Sequence, residues 1–483
     1  MPDATTPSVT ARPDVMAPPD VTAPPDVTAP PDVTARPDVM APRVVEAPDQ
    51  FTARLRARMH SPLCGLMPSM GFLQRQRGGP RLMVAGGELT GVHVLRGLPA
   101  PKIGAYHIGG YGLRPFESHI RTLGEVVERY GGYIAPVSGR FPIRYATADE
   151  LTAAGEHWDA GPAEPYGAQQ YGRPGFPFRP RRDGDVLGWV RATRLADGRD
   201  CWVPAQLLLV GYVVQDTRGE PWLAPAVSTG TAAHTDPDRA ALNALEEMVQ
   251  IDAALSHWYG GSRSTRIGPG ARTAALQRVI GGSFDVRGDQ PEFHLLPSAD
   301  LPGFTVACLI RSADGRLPAV AVGLGIDGVL ERAMYRALLE AAGVRGLAVW
   351  SALQQRFEQG SAVREDIFDL ESNVSLAATP QGARVVEERF GDCDDASADD
   401  LPPDDERPAG ARARDLVRAF HATGKRLYAA DFTTVDVADL GFVVARFWCP
   451  DLVTLPLPSA PPAAHARFAA YGGFRRHDPH PYP

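Results

Sequence analysis

The sequence predicts an α+β protein, and three observations carry that assignment. Strand-like apolar runs and amphipathic helical stretches mix along the chain without strict βα alternation, which argues against a doubly wound parallel sheet. Apolar residues make up 44% and charged residues 22% of the 483 positions, the ordinary balance of a globular protein. A repetitive, proline-rich N-terminal stretch is set apart in composition from everything after it.

That stretch repeats the hexad PDVTAP over residues 13–42, with Asp14, Asp20, Asp26, Asp32 and Asp38 in step. Proline once or twice per repeat excludes a helix or a central strand. Residues 1–48 therefore read as a disordered, extended segment, and residues 49–483 as one domain whose folded part begins near Phe51.

Residues 60–112 read as short strands and turns, PRLMVAGGEL and GVHVLRGL among them, before a helix over about 115–130. Residues 160–185, rich in Gly, Pro and aromatics, read as a long surface loop. DVLGWVRATRL, CWVPAQLLLV and EPWLAPAV follow as strands, then a strong helix near 236–258. GSRSTRIGPGAR reads as a turn-rich basic loop, FTVACLIRS and PAVAVGLGI as strands, and LERAMYRALLEAAG as a helix. Residues 391–413 form an acidic, Pro-containing loop. A helix near 413–424, the strands RLYAADFT and GFVVARFWCP, and the tail PHPYP complete the chain. Alternating prolines stiffen such a tail and lower the entropy lost when it docks, so it can carry its free carboxylate to a defined place. On its own, the pentapeptide reads first as a frayed terminus, and only the blocks that precede it favour an ordered arm.

Charge and cysteine usage exclude several function classes. A net charge of −8, with lysine only at Lys102 and Lys425, argues against a nucleic-acid binder. Cys64, Cys201, Cys308, Cys393 and Cys449 are scattered and form no CxxC, giving neither a zinc signature nor a disulfide framework. That pattern fits a reducing cytoplasm, which is the expected location. No run of about 18 apolar residues suggests a membrane span, and no secretory signal pattern opens the chain.

Three helices carry polar residues on single faces. Glu125 and Glu128 are three apart in TLGEVVERY, with Arg129 next. Asn243, Glu247 and Gln250 form one stripe of the second helix, and Arg336 and Glu340 lie four apart on the third. Read singly, each is compatible with a solvated, salt-bridging face. Residues of this kind also suit a magnesium–nucleotide site, where carboxylates take the ion and arginine the phosphates. No GxxxxGK[ST] occurs, so such a site is not a P-loop. His257, beside Trp258, reads as a packed helix residue, and no nucleophile elbow is present.

Taken in order, these blocks resemble the YcaO-domain family. GYGLRPFESHIRTLGEVVER follows the family's first helix behind a GKG turn, and STGTAAHTDPDRAALNALEEMVQID follows its second block. GLGIDGVLERAMYRALLE follows the third, GKRLYAADFTTVDVADLGFVVARFWCPDL the C-terminal unit, and PHPYP the PxPxP tail, so the likeness runs over about 60–483. The resemblance implies a YcaO-like fold of mixed sheets and packed helices around an ATP/Mg2+ cleft. It implies ATP and Mg2+ as cofactors, with Glu125, Glu128 and Glu247 as metal-linked carboxylates, Glu125, Glu247 and the Pro483 carboxylate as catalytic groups, and Glu128, Arg129, Gln250, Arg336 and Glu340 bordering the nucleotide. The implied reaction is ATP-dependent cyclodehydration of Cys, Ser or Thr in a ribosomal precursor peptide to thiazoline or oxazoline, as in thiopeptide or linear azole peptide biosynthesis by a stand-alone SagD-like branch. The implied partners are the precursor, a separate leader-binding protein (ubiquitin-activating-like or winged-helix), a downstream flavin dehydrogenase and a second copy of the chain. Thioamide or amidine formation, or a non-catalytic peptide-binding scaffold, are the alternatives. The chain departs from the family pattern at Tyr111 (lysine), Arg121 (serine), Thr235 (asparagine), Arg239 (glutamate), Gln250 and Ile251 (the ER of ExxER), and Gly343 (glutamine).

Overall fold

Among the described residues three sheets support the long helices, and close strand–helix contacts fix where the polar faces point. The computed structural model describes residues 48–483 apart from 64, 74, 76–77, 90, 101–105, 286, 314, 360–366, 369–372 and 483. Of the segment expected to be disordered, residues 1–47 lie outside the described residues, and Pro48 is the first residue of a helix, Pro48–Met59.

β1 (Met70–Phe72), β2 (Met83–Glu88) and β3 (His107–Gly112) form an antiparallel sheet in that order. The Pro115–Ile134 helix lies on β3, where Ser118 Oγ donates to the Gly110 carbonyl at 2.8 Å. β4 (Arg144–Ala146), β5 (Leu187–Arg194), β6 (Arg199–Pro204) and β7 (Thr231–His234) belong to a second sheet. β8 (Ser264–Gly268), β9 (Pro291–Leu296), β10 (Phe304–Arg311), β11 (Val320–Asp327) and β12 (Cys393–Ser397) build a third, in the order β11-β10-β9-β8-β12. β13 (Tyr428–Asp431) and β14 (Val443–Trp448) return to the second sheet, ordered β4-β5-β13-β14-β7 with β6 on β5. Every named pairing is antiparallel except β8–β12, as an α+β fold leads one to expect.

The Pro237–Tyr259 helix is buried along most of its second half, and the Leu330–Gln359 helix beds on β11. A Cβ at Gly325 would stand 2.3 Å from the Ala333 carbonyl oxygen, so glycine is what allows that approach. The GxG of PAVAVGLGI is thus a packing device that sets the height of Arg336 and Glu340 over the sheet.

Several expectations need correction. GVHVLRGL contains a helical turn, Val92–Leu95, in place of a strand. EPWLAPAV is not a strand: Pro221 and Pro225 cannot donate to a ladder, and buried Glu220 organises the segment by accepting from Gly188 N and Gln215 N at 2.9 Å each. The basic loop GSRSTRIGPGAR contains β8, and the acidic loop 391–413 contains β12, paired in parallel. Their opposite charges meet across that ladder, Arg266 Nε standing 2.7 Å from Asp395 Oδ1. Nor is 160–185 wholly superficial, since Tyr166 and Phe178 are buried and stacked at 4.9 Å. Among the described residues no helix is long and apolar enough to cross a membrane.

Candidate functional site

The three helices singled out in the sequence face one another, and their polar residues divide into two groups. Glu125, Glu128, Glu247 and Glu340 make the first. Burial pushes Glu128 far above the ordinary carboxylate range, and the facing charges of Glu125 and Glu247 push it further. Glu247 is also raised, mainly by burial, although the Gly230 N–H donates to its Oε2 at 2.9 Å and Arg129 opposes the rise. Glu340 is lifted to about 8 by burial against the Leu324 N–H, with Glu247 and Glu125 adding repulsion. Glu128 and Glu340 thus each lie within electrostatic reach of Glu125 and Glu247, in a region that is poorly solvated around Glu128, Glu247 and Glu340.

Two cations answer them. Arg129 Nε donates to Glu125 Oε1 at 2.8 Å. Arg446, 2% exposed on β14, donates from Nε to Leu208 O at 2.9 Å and from Nη1 to Thr229 O at 2.5 Å and Thr231 Oγ1 at 3.1 Å. Burial draws its pKa down to about 10, while Glu247 and Glu128 hold it up. With every carboxylate ionised, four of them against two guanidiniums would carry two negative charges in excess, so a bound divalent cation would offset the repulsion that holds their protons on. Hard oxygen donors under mutual repulsion fit magnesium. Among the described residues no three His, Cys, Asp or Glu side chains form a ready-made metal cage, so the fit is to an ion that takes one or two carboxylates and draws its other ligands from phosphate and water. The Tyr111 phenol enters the same volume, where burial, Glu340 and Glu125 raise it far above its usual range.

The second group adjoins the first: Glu246 is next to Glu247 in sequence, and Arg336 is one turn before Glu340. Arg336 does not serve Glu340. Its Nη2 stands 3.1 Å from Asp327 Oδ2, and its Nη1 donates to Ile326 O at 2.9 Å and faces Glu246 Oε2 at 3.8 Å. Arg412 bonds Glu246 directly and reaches Asp327 Oδ1 at 3.3 Å. Burial lifts Glu246 to about 7 despite Arg412 and Arg336. Gln250 is half-buried one turn past Glu247 and adds no charge, while Ile251 packs in the core with Leu255 and Trp258.

The tail is docked through its last described residue. Trp258 Nε1 donates to Asp478 O at 2.8 Å, Asn373 Nδ2 to Tyr482 O at 2.6 Å, and the Tyr482 hydroxyl to Ala254 O at 3.3 Å. His480 and Tyr482 are buried against the Pro237–Tyr259 helix. Ala254 follows Glu247 by seven residues, two turns along the same helix face and about 10 Å along the axis. Pro483 lies outside the described residues. His257 is fully buried, as its place beside Trp258 suggested.

Glu246, Asp327, Arg412 and Arg446 were not singled out from the sequence. Arg446 alone left a local signal, a charge in the middle of the apolar run VVARFWC.

The family model described as "YcaO cyclodehydratase, ATP-ad Mg2+-binding" matches residues 109–453. It covers all three helices and Arg446, and stops short of the tail. No curated protein matches the chain in sequence. Among solved structures, a heterocyclase in complex with substrate and cofactor is similar at a TM-score of 0.64 and 16% identity, over 89% of this chain and 56% of that one. The chain thus spans little more than half of that heterocyclase. YcaO from Methanopyrus kandleri, bound with AMPPCP and Mg2+, matches at 0.57 and 16% identity, over 90% of this chain and 96% of the other. The E. coli microcin synthetase McbBCD complex matches at 0.56 and 13%, over 88% and 99%. At these identities the likeness shows the fold.

Proposed function

The chain belongs to the YcaO family, and from that premise we propose that it is an ATP- and magnesium-dependent cyclodehydratase of a ribosomally made precursor peptide. It converts Cys, Ser or Thr to azolines in a thiopeptide or linear azole pathway, with a separate leader-binding partner and a downstream flavin dehydrogenase. The observation that carries this reading is the convergence of Glu125, Glu128, Glu247 and Glu340 from three helices of the family-matched segment, where mutual repulsion and burial raise Glu128, Glu247 and Glu340.

In this reading one or two of Glu125, Glu128 and Glu247 would hold the ion, with phosphate and water completing its ligands, Arg129 orients Glu125, and Gln250, Arg336 and Glu340 border the nucleotide. When bound, Mg-ATP supplies the phosphoryl group that makes the amide oxygen a leaving group after a side-chain thiol or hydroxyl has attacked the preceding carbonyl carbon. The chain's own part is to position and to move protons. The arm that docks through His480 and Tyr482 runs on the same helix face as Glu247, and its Pro483 carboxylate accepts the proton of the attacking nucleophile.

Incubation with partner, precursor and Mg-ATP is expected to remove about 18 Da per ring, the mass of one water. An unchanged precursor mass with no phosphate release contradicts the reading. Residues added after Pro483 are expected to abolish cyclisation and spare ATP binding, and unimpaired cyclisation in that extended chain removes the carboxylate from the mechanism.

A further inference from the structure

β8 and β9 are joined over two residue pairs only, Thr265–Leu295 and Arg266–His294. Both strands continue beyond that point: β8 follows β12 through Gly268, and β9 follows β10 back to Pro291. Among the described residues no ladder joins Ile267 and Gly268 to Phe293 and Glu292, so a strand edge stands on either side of a gap. A cavity of about 940 Å³ opens there, near the upper end of the range of about 300–1,000 Å³ usual for ligand sites.

Side chains alternate along a strand, so the two sides of this cavity differ in character. Ile267 and Phe293 point to the face covered by the Ala274–Ser283 helix, where Ile280 joins them. Arg266, Glu292 and Arg311 point to the opposite face. Residues of both faces line one cavity, which therefore runs through the split in the sheet. Glu292 Oε1 stands 2.8 Å from His294 Nε2 and 3.1 Å from Arg311 Nη1. His294 is itself buried, with its Nδ1 3.2 Å from Ser264 Oγ. The His294 bond and the Arg311 charge hold the Glu292 carboxyl down at about 2 against the cost of burial. Arg266 is engaged by Asp395 at 2.7 Å, and Arg311 also by Glu387 at 3.7 Å. Glu292, Asp395 and Asp400 outnumber Arg266 and Arg311 along the cavity, which suits a basic ligand. The β12 wall leads through Asp400 to Asp404, which accepts from the Leu330 N–H at 2.9 Å, at the head of the helix that carries Arg336 and Glu340.

We propose that the gap between β8 and β9 binds an extended peptide segment with alternate apolar and basic side chains, supplied by the precursor. Its backbone completes both open edges, its apolar side chains meet Ile267, Ile280 and Phe293, and its basic ones meet the acids opposite. Only the choice of the precursor as occupant rests on the function proposed above.

Fluorescence anisotropy of a labelled synthetic peptide of alternating valine and lysine, titrated with the full chain, tests the cleft. Methylating alternate backbone nitrogens, which keeps the side chains and removes the ladder donors, is expected to weaken binding by about tenfold or more. Gly268→Leu is expected to do the same by filling the gap; a Cβ there would stand 3.5 Å from Ala396 O, an ordinary contact. Ile280→Lys, at a half-buried helix position, carries the same expectation should the first variant disturb the strand. In cyclisation assays Gly268→Leu is expected to raise the KM for the precursor by about tenfold with kcat unchanged. Plug-sensitive peptide binding by a wild type that cyclises nothing supports the cleft and overturns the function instead. An unchanged KM in a cyclising Gly268→Leu overturns the precursor as occupant. No binding to wild type, or equal binding by both variants or of the methylated peptide, overturns the cleft.

Discussion

Tyr111 and Gly343 claim the same space: a Cβ at Gly343 would stand 1.9 Å from Tyr111 Cε1 and 2.3 Å from Cζ. The family pattern has lysine and glutamine at these positions, so two separate departures are one structural change. The ring enters the carboxylate group because position 343 has no side chain. A neutral phenol then stands where an ammonium would have offset one negative charge.

Gly343→Ala should accordingly cost about 1–3 kcal/mol by overpacking, and Tyr111→Ala made on that background should recover most of the loss. Urea denaturation of the two single variants and the double variant measures the coupling. Strictly additive effects would show that the ring and the glycine are independent.

The carboxylate group should make the ligand-free fold less stable as pH rises. Glu340 ionises near 4.5 when exposed and near 8 in the fold, so between those values the folded state keeps a proton that the unfolded state has lost. Stability then falls from about pH 4.5 to pH 8 and levels off above. Glu340→Gln should match wild type at the low end and exceed it by about 2–4 kcal/mol at the high end. Urea midpoints across that range test this, and parallel curves for the two proteins would remove Glu340 from the cluster.

The tail should respond to pH in the opposite sense. Burial lowers the His480 pKa from 6.5 to about 4, so as pH falls the unfolded chain takes up its proton first. The stability tied to the docked arm is fully present above about 6.5 and is lost toward 4. The loss amounts to about 3 kcal/mol. His480→Gln should flatten the decline in thermal midpoint between those values, and an equally steep decline in the variant would place the pH dependence elsewhere.

What the sequence disclosed follows from how local each feature is. Glu125, Glu128, Glu247 and Glu340 were legible because helix periodicity sets their faces and the order of blocks sets their company. β12 was not legible as a strand, because an acidic run such as CDDAS becomes one only by pairing with β8, and Arg266 and Asp395 across that ladder are 129 residues apart. Arg412 and Glu246, bonded in the fold, are separated by 166 residues and share no local spacing. Arg336 looked like the partner of Glu340 from their spacing, yet Asp327 at the end of β11 takes it instead. The docked tail was anticipated from the blocks that precede it and not from its prolines alone, while its anchors, Asn373 and Trp258, come from distant segments.

The measurement that tests the central claim most directly follows the amide oxygen itself. A precursor peptide carrying an oxygen-18 label in the carbonyl preceding the reacting Cys, Ser or Thr is incubated with the chain, its partner and Mg-ATP. If ATP activates the backbone amide, each ring formed delivers one labelled oxygen to orthophosphate. Label recovered in water, or retained in the peptide while ATP is consumed, would contradict the account.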